Sequence, residues 1–133
     1  MGVWGVGVFE NDDARDWLDQ LLENGDVTFL RNALMIVKEQ KSYLELPECC
    51  KALAAAEVVA SAIGRKALAL PSQVEEWLYG KDLVEIRRLV PLAREVTKRV
   101  KSDSELRELW DESHNTADWY DVIGDIEARI NQN

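Results

Sequence analysis

Residues 48–64, ECCKALAAAEVVASAIG, form the stretch of sequence that decides the fold. Apolar side chains stand at nearly every position of this stretch, so a helix built from it has only a narrow polar arc. A helix of that kind is buried on all sides, and its alanines let neighbouring helices approach closely. Pro47 suits the first turn of such a helix and Gly64 its C-terminal end. The stretch therefore predicts the central helix of a bundle.

On both sides of this stretch, apolar residues recur at three- and four-residue spacing, which is typical of amphipathic helices. Capping residues place the starts of these helices near Asp12, at either Asp26 or Thr28, and near Ser72, Asp82, Ser102 and Thr116. Pro91 lies inside the run that follows Asp82, so we expect a kink or a break near Leu89 and Val90. Only residues 3–9 are a candidate extended piece. The sequence predicts an all-α fold: a single-domain bundle of five to seven helices over residues 1–133, with residues 1–10 as a Gly- and Trp-rich arm packed on it.

The composition is that of one globular domain. The chain has 133 residues, of which 47% are hydrophobic and 31% charged; a domain of this size buries about two thirds of the surface of its unfolded chain without a metal or a disulfide. Cys49 and Cys50 are sequence neighbours, so we expect two reduced thiols in a reducing compartment. No apolar run reaches the ~18 residues that span a membrane, and no signal peptide is recognisable. We therefore expect a soluble, cytoplasmic protein without cofactors or membrane association.

The net charge of −9 is unevenly distributed along the chain. Residues 1–30 hold seven acidic residues and one basic residue, and residues 103–133 hold nine and two. Residues 31–102 instead hold thirteen basic and nine acidic residues. We expect the two acidic ends to lie against the basic middle of the same chain or of a partner. Binding to nucleic acid is not expected, because phosphate contacts would have to overcome the net repulsion of the molecule.

The opening stretch MGVWGVGVFENDDARDWL, residues 1–18, suits either a ligand-binding loop or a structural arm. Gly5 and Gly7 fit the start of a dinucleotide fingerprint, but the strand–turn–helix unit that this motif needs does not follow them. The alternative is mechanical: glycines permit tight bends, so that Trp4 and Phe9 fold back onto the core while Asn11 caps the first helix. We expect the arm to seal the helical core in this way.

Four stretches of the chain together resemble a bacterial family described only as a domain of unknown function, family 4259. They are residues 1–18, YLELPECCKALAAAEVVA (43–60), SELRELWDES (104–113) and WYDVIGDIEARI (119–130), and they span nearly the whole chain. The resemblance implies a small, mostly helical bacterial protein. It implies no activity, cofactor or catalytic residue.

Acidic residues on two helix faces are candidates for an interaction surface or a cation site. Asp12, Asp16 and Asp19 share one face, and a similar spacing recurs near the C-terminus. Two such faces turned together would offer oxygen ligands to Mg²⁺ or Ca²⁺, whereas the sequence has neither an EF-hand loop nor a Cys/His cluster for zinc. We favour a solvated or ion-paired acidic face. The candidate interaction surface, including two aromatic residues of the arm, consists of Trp4, Phe9, Asp12, Asp13, Asp16, Asp118, Asp121 and Asp125.

Two single residues are candidates for chemistry. Glu57 lies in the middle of the apolar helix, so it is a candidate buried carboxylate, either ion-paired in a structural role or available as an acid or base in a cleft. On a helical wheel it falls near Lys51, Ser61 and Arg65, which favours the paired role. His114, the only histidine, lies in a polar connection, where a solvated or capping role is favoured over that of a general base. No catalytic, cofactor-binding or metal-binding residue is assigned.

Three functional hypotheses follow. The leading one is a non-enzymatic interaction module of the bacterial cytoplasm, which binds a basic protein partner through the arm and the last helix. An immunity-type protein that neutralises a toxin is one form of it, because small acidic helical proteins can mask basic catalytic clefts. The first alternative is a small enzyme that uses clustered Asp and Glu carboxylates, with or without a divalent cation. The second is a regulator that forms a homodimer through its charged faces.

Overall fold

A computed structural model describes residues 3–131, and these residues fold into eight helices. In chain order the helices are α1 (Asp12–Asn24), α2 (Val27–Glu39), α3 (Leu46–Ala62), α4 (Ser72–Leu78), α5 (Leu83–Arg87), α6 (Val90–Ser102), α7 (Glu105–Asp111) and α8 (Thr116–Asn131). Within this part of the chain, β-pairing is limited to an isolated antiparallel bridge between Val3 and Asn11. The predicted all-α class is confirmed.

Helix α3 lies at the centre of the bundle, as its sequence predicts. Every residue from Ala52 to Ala60 is buried. Helices α1, α2, α6 and α8 pack around α3, and the shorter helices α4, α5 and α7 also contact it. Because α3 has no solvent-exposed face over this stretch, the other helices have to enclose it, and this sets the architecture. Neither α3 nor any other helix of the described residues is long and apolar enough to cross a membrane.

The last helix shows how the outer helices are attached to this centre. The predicted stripe of α8, Trp119, Ile123, Ile126 and Ile130, is at most 1% exposed. Burying one side chain of this size stabilises the fold by about 1.5–3 kcal/mol. That gain outweighs the lower helix propensity of β-branched isoleucine, which is a few tenths of a kcal/mol. Tertiary packing therefore holds α8 in place. Because α8 is fixed, the acidic residues on its outer face are fixed as well.

The run that follows Asp82 forms two helices instead of one. Helix α5 ends at Arg87, and α6 begins at Val90 with Pro91 as its second residue. Proline is accepted in the first turn of a helix, because its missing N–H would have no helical partner there. The expected break near Leu89 and Val90 is confirmed. The five-residue α5 that it creates is the reason that residues 3–131 form eight helices, of which seven have at least seven residues.

Side-chain caps begin three of the helices at Asn11 and Asp82, as predicted, and at Asp26, which was one of the two candidates beside Thr28. Two other predicted caps are wrong. Ser72 is the first residue of α4 and makes no capping hydrogen bond. Ser102 is the last residue of α6, and the cap of α7 is Ser104, which is 1% exposed and accepts a hydrogen bond from the backbone N–H of Arg107. Because α6 continues to Ser102, the next helix starts later than its sequence pattern indicates.

Candidate functional site

The described part of the N-terminal arm, residues 3–10, is a tight loop that folds over the carboxylate of Glu10. The backbone N–H of Gly7 donates a hydrogen bond of 3.0 Å to Oε1 of Glu10, and the carbonyl of Gly7 accepts one of 3.0 Å from the backbone N–H of Glu10. A Cβ atom on Gly5 would lie 2.6 Å from Oε2 of Glu10, and one on Gly7 would lie 2.5 Å from Oε1. The two glycines therefore make room for Glu10.

Hydrogen bonds attach the arm to the start of α1. Nε of Arg15 donates to the carbonyl of Phe9 at 3.0 Å, and the side-chain amide of Asn11 donates to the carbonyl of Val8 at 3.1 Å. Phe9 is 7% exposed and belongs to the core, so it seals the bundle and offers little surface to a partner. Trp4 is 57% exposed, so the expectation that it folds back onto the core is wrong. Phe9 of the arm is therefore buried in the core, whereas Trp4 is exposed to solvent.

A cleft of about 590 Å³ opens between the arm, the connection that follows α3, and α8. Its volume lies in the range of about 300–1,000 Å³ that is typical of ligand pockets. The apolar part of the lining comes from Val8 and Phe9 of the arm, from Leu68 with the alanines on either side of it, and from Val122 of α8. Leu68 is fully exposed. Charged residues complete the lining: Glu10, Arg15, Glu57, Lys66, Asp121, Asp125 and Arg129.

A buried ion pair joins α3 to α8 at this cleft. Nη1 and Nη2 of Arg129 donate to Oε1 and Oε2 of Glu57 at 2.6 and 2.8 Å, so the pair is bidentate. The Glu57 side chain is 3% exposed and that of Arg129 is 13% exposed. Arg129 also donates to Asp125 and to the carbonyl of Arg65, each at 3.0 Å. Burial opposes the charge of Arg129, but Glu57 and Asp125 outweigh that effect and raise the pKa of the guanidinium above its usual value. Both oxygens of Glu57 are therefore engaged, by a residue of another helix.

The three candidate aspartates of α8 have different surroundings. Asp121 and Asp125 line the cleft, and Asp118 is exposed outside it. Asp125 forms an ion pair of 3.0 Å with Arg129. Asp121 is exposed and has no ion-pair partner within 4.0 Å among the described residues. Asp121 is thus a carboxylate of this cleft that has no ion-pair partner among the described residues.

The candidate aspartates of α1 lie elsewhere on the molecule. Asp13 and Asp16 line a second groove, between α1 and α2, and Asp12 is exposed. The two acidic faces are therefore not turned together. Among residues 3–131, no three His, Cys, Asp or Glu side chains are grouped closely enough to hold a metal ion. The arrangement that the cation hypothesis requires is not formed by these residues.

Basic residues of α6 make contacts within the molecule. Nε of Arg94 donates to the carbonyl of Ile130 at 3.0 Å, and Lys101 forms an ion pair of 2.9 Å with Glu127. Arg99 donates to two carbonyls of the loop after α2, at 2.7 and 2.8 Å. Among the described residues, Lys101–Glu127 is thus the ion pair that joins a basic residue of the middle of the chain to an acidic residue of its C-terminal part, whereas Arg94 and Arg99 bind backbone carbonyls.

The cysteines and the histidine are not arranged for covalent catalysis. Cys49 and Cys50 are buried, free thiols. Burial raises the pKa of Cys49 to about 11 and that of Cys50 to about 12, so both thiols stay protonated at neutral pH. His114 is exposed in the turn between α7 and α8. The hydroxyl of the adjacent Ser113 is engaged, because it donates to the carbonyl of Trp110 at 2.8 Å.

Several lining residues of the cleft were not candidates in the sequence, and Arg129 and Leu68 are the two that matter most to its geometry. The local signal for Arg129 is its position four residues after Asp125, which indicates a helical ion pair. No local pattern connects Arg129 to Glu57. The signal for Leu68 is weaker, an apolar residue between alanines in the short connection that follows the central helix.

The fold and the cleft define a small all-α protein whose N-terminal arm and last helix form the walls of an open groove. The family model "Domain of unknown function (DUF4259)" matches residues 2–121, and the chain belongs to this family, as its motifs predict. The matched range includes the arm, Glu57 and Asp121 and ends before Arg129. No curated protein and no solved structure matches the chain.

Proposed function

We propose that this protein is a non-enzymatic interaction module of the bacterial cytoplasm, which binds a basic protein partner through the cleft between the arm and α8. The observation that carries the proposal is the pairing, at one cleft, of the fully exposed Leu68 with the exposed carboxylate of Asp121. Protein interfaces combine a buried apolar anchor with polar groups around it. Burying a leucine at an interface contributes about 1.5–3 kcal/mol.

Charge supports a basic partner. The net charge of −9 attracts a positively charged surface and disfavours an acidic one. Within this class we favour an immunity-type protein, which neutralises a toxin by covering a basic catalytic cleft. A cytoplasmic location agrees with the two free thiols, because unpaired cysteines are typical of reducing compartments.

The geometry favours an interaction module over a carboxylate enzyme. A catalytic acid or base has to reach a substrate atom, whereas both oxygens of Glu57 are bonded to Arg129 and its side chain is 3% exposed. The carboxylate of Glu57 thus has a structural role in its ion pair with Arg129. The rest of the cleft offers surface for contact with a partner.

Photo-crosslinking at Leu68 tests the proposal. A photoreactive benzoylphenylalanine replaces Leu68 in the bacterium that produces the protein, and the cross-linked product is identified by mass spectrometry. The matched control carries the same group at Tyr79, which is 87% exposed and does not line the cleft. We expect position 68, and not position 79, to capture one basic protein. Equal capture from both positions, or capture of none, contradicts the proposal.

Two charge reversals on α8 then distinguish the effect of the cleft on binding from the effect of the net charge. Asp121→Lys and Asp118→Lys change the net charge equally, but only Asp121 lines the cleft. Affinity for the captured partner is measured by calorimetry. Asp121→Lys is expected to weaken binding by about tenfold or more, which is ~1.4 kcal/mol, and Asp118→Lys by less than about twofold. Equal losses would mean that the partner responds to total charge and not to the cleft.

A further inference from the structure

A second groove lies between α1 and α2, away from the cleft of the arm. Both helices pack on α3, but α1 and α2 make few contacts with each other. Trp17 of α1 stacks on Phe29 of α2, with ring centroids 5.7 Å apart and an interplanar angle of 14°. A groove of about 370 Å³ remains along this stack.

The two helices line the groove with stripes of the same length. Each stripe has the spacing i, i+3, i+4, i+7: Asp13, Asp16, Trp17 and Gln20 from α1, and Phe29, Asn32, Ala33 and Ile36 from α2. Seven residues of helix rise about 10 Å, so the groove follows both helices for about two turns. The wall from α1 carries two carboxylates, whereas the wall from α2 is mainly apolar.

The groove exposes both apolar and acidic side chains to solvent. Ile36 lines the groove and is 52% exposed, so the α2 wall presents a large apolar side chain to solvent. Asp13 and Asp16 have no ion-pair partner within 4.0 Å among residues 3–131. Lys51 of α3 contributes one positive charge to the lining. Helix α1 as a whole carries five acidic residues and one basic residue, so the α1 side of the groove is negative.

We propose that the α1–α2 groove binds an amphipathic helix of a partner protein, with the apolar face of that helix on α2 and its Lys or Arg residues toward α1. A two-turn groove accepts apolar side chains at i, i+3 or i+4, and i+7 of a helix, which is the helix-in-groove mode of recognition. A basic side chain beside Asp16 matches the charge of the α1 wall. The groove shares no lining residue with the cleft of the arm, so this inference does not depend on the proposed function.

Titration of the ¹⁵N-labelled chain with a designed peptide tests the inference. The peptide has about 14 residues, or four helical turns, with Leu along one face, Lys on both flanks and Ala elsewhere. One control peptide has Glu in place of Lys, and the other has the same composition in an order that forms no amphipathic face. We expect the basic amphipathic peptide alone to shift the indole N–H of Trp17 and the backbone amide of Ile36.

A matched pair of variants then tests the α1 wall. Asp16→Lys reverses a charge that lines the groove, and Asp19→Lys reverses an exposed charge of the same helix outside it. Peptide affinity is expected to fall about tenfold in Asp16→Lys and less than about twofold in Asp19→Lys. Equal losses, equal binding of the three peptides, shifts confined to other surfaces, or no binding each overturn the inference. Self-association of the protein in sedimentation that Asp16→Lys abolishes would overturn it in favour of a second copy as the occupant.

Discussion

Replacing Arg129 alone is expected to destabilise the protein strongly, whereas replacing Arg129 together with Glu57 is not. In the native fold, Glu57 is 3% exposed and both of its carboxylate oxygens accept hydrogen bonds from Arg129, at 2.6 and 2.8 Å. Arg129→Ala removes both bonds and the positive charge. A buried carboxylate is then left without the group that compensates its loss of hydration.

The size of the effect follows from this burial. Removing one partner of a buried ion pair typically costs about 3–5 kcal/mol, and the whole folding free energy of a domain is about 5–15 kcal/mol. With a urea slope of about 2 kcal/mol per M, a loss of about 4 kcal/mol lowers the unfolding midpoint by about 2 M. The double variant Glu57→Leu/Arg129→Met removes both charges, and replacing a buried ion pair by apolar residues is often neutral or stabilising. We expect it to recover most of the loss.

Urea unfolding followed by far-UV circular dichroism at pH 7 measures these free energies. Asp125→Asn is the control, because Asp125 contacts the same guanidinium at 3.0 Å while its own side chain is 63% exposed. Exposed ion pairs contribute about 0.2–1 kcal/mol, so the control is expected to lose no more than about 1 kcal/mol.

Two outcomes would refute the reasoning. A loss below about 1 kcal/mol in Arg129→Ala would show that the pair behaves as a surface contact. A double variant as unstable as Arg129→Ala would show that packing of the arginine, and not its charge, holds α3 against α8.

Two further predictions concern α7 and the thiols. Ser104→Ala is expected to cost about 1–2 kcal/mol because its buried hydroxyl caps α7, and the exposed Ser102→Ala less than about 0.5 kcal/mol; equal losses in thermal unfolding would contradict the capping role. The pKa values of Cys49 and Cys50 are raised from 9.0 to about 11 and about 12, so the stability that they contribute is present below pH 9 and is lost as the pH rises toward 12. The denaturation midpoint should fall over that range, and less so in Cys50→Ala; a midpoint independent of pH there would disprove the effect of burial.

The sequence by itself determined the class of fold and the positions of most helices. Continuous apolar character in residues 48–64 marked the central helix, which spans Leu46–Ala62, and Pro91 divided the following run because it lacks a backbone N–H. These signals act within one helix or one turn, so they can be read from neighbouring residues. The prediction that Ser102 caps α7 was wrong because two serines, Ser102 and Ser104, stand close together here. The length of α6, which ends at Ser102, decides that Ser104 is the cap.

The tertiary structure alone decided how the surface is organised. It joined Glu57 to Arg129, 72 residues away, and it separated the aspartates of α1 from those of α8. It also left Trp4 and Leu68 exposed. Periodicity shows which face of a helix is apolar, but not which helix lies opposite each polar residue. That choice depends on how the helices cross and rotate on α3, where a rotation of about 100° replaces one side chain by the next along the chain.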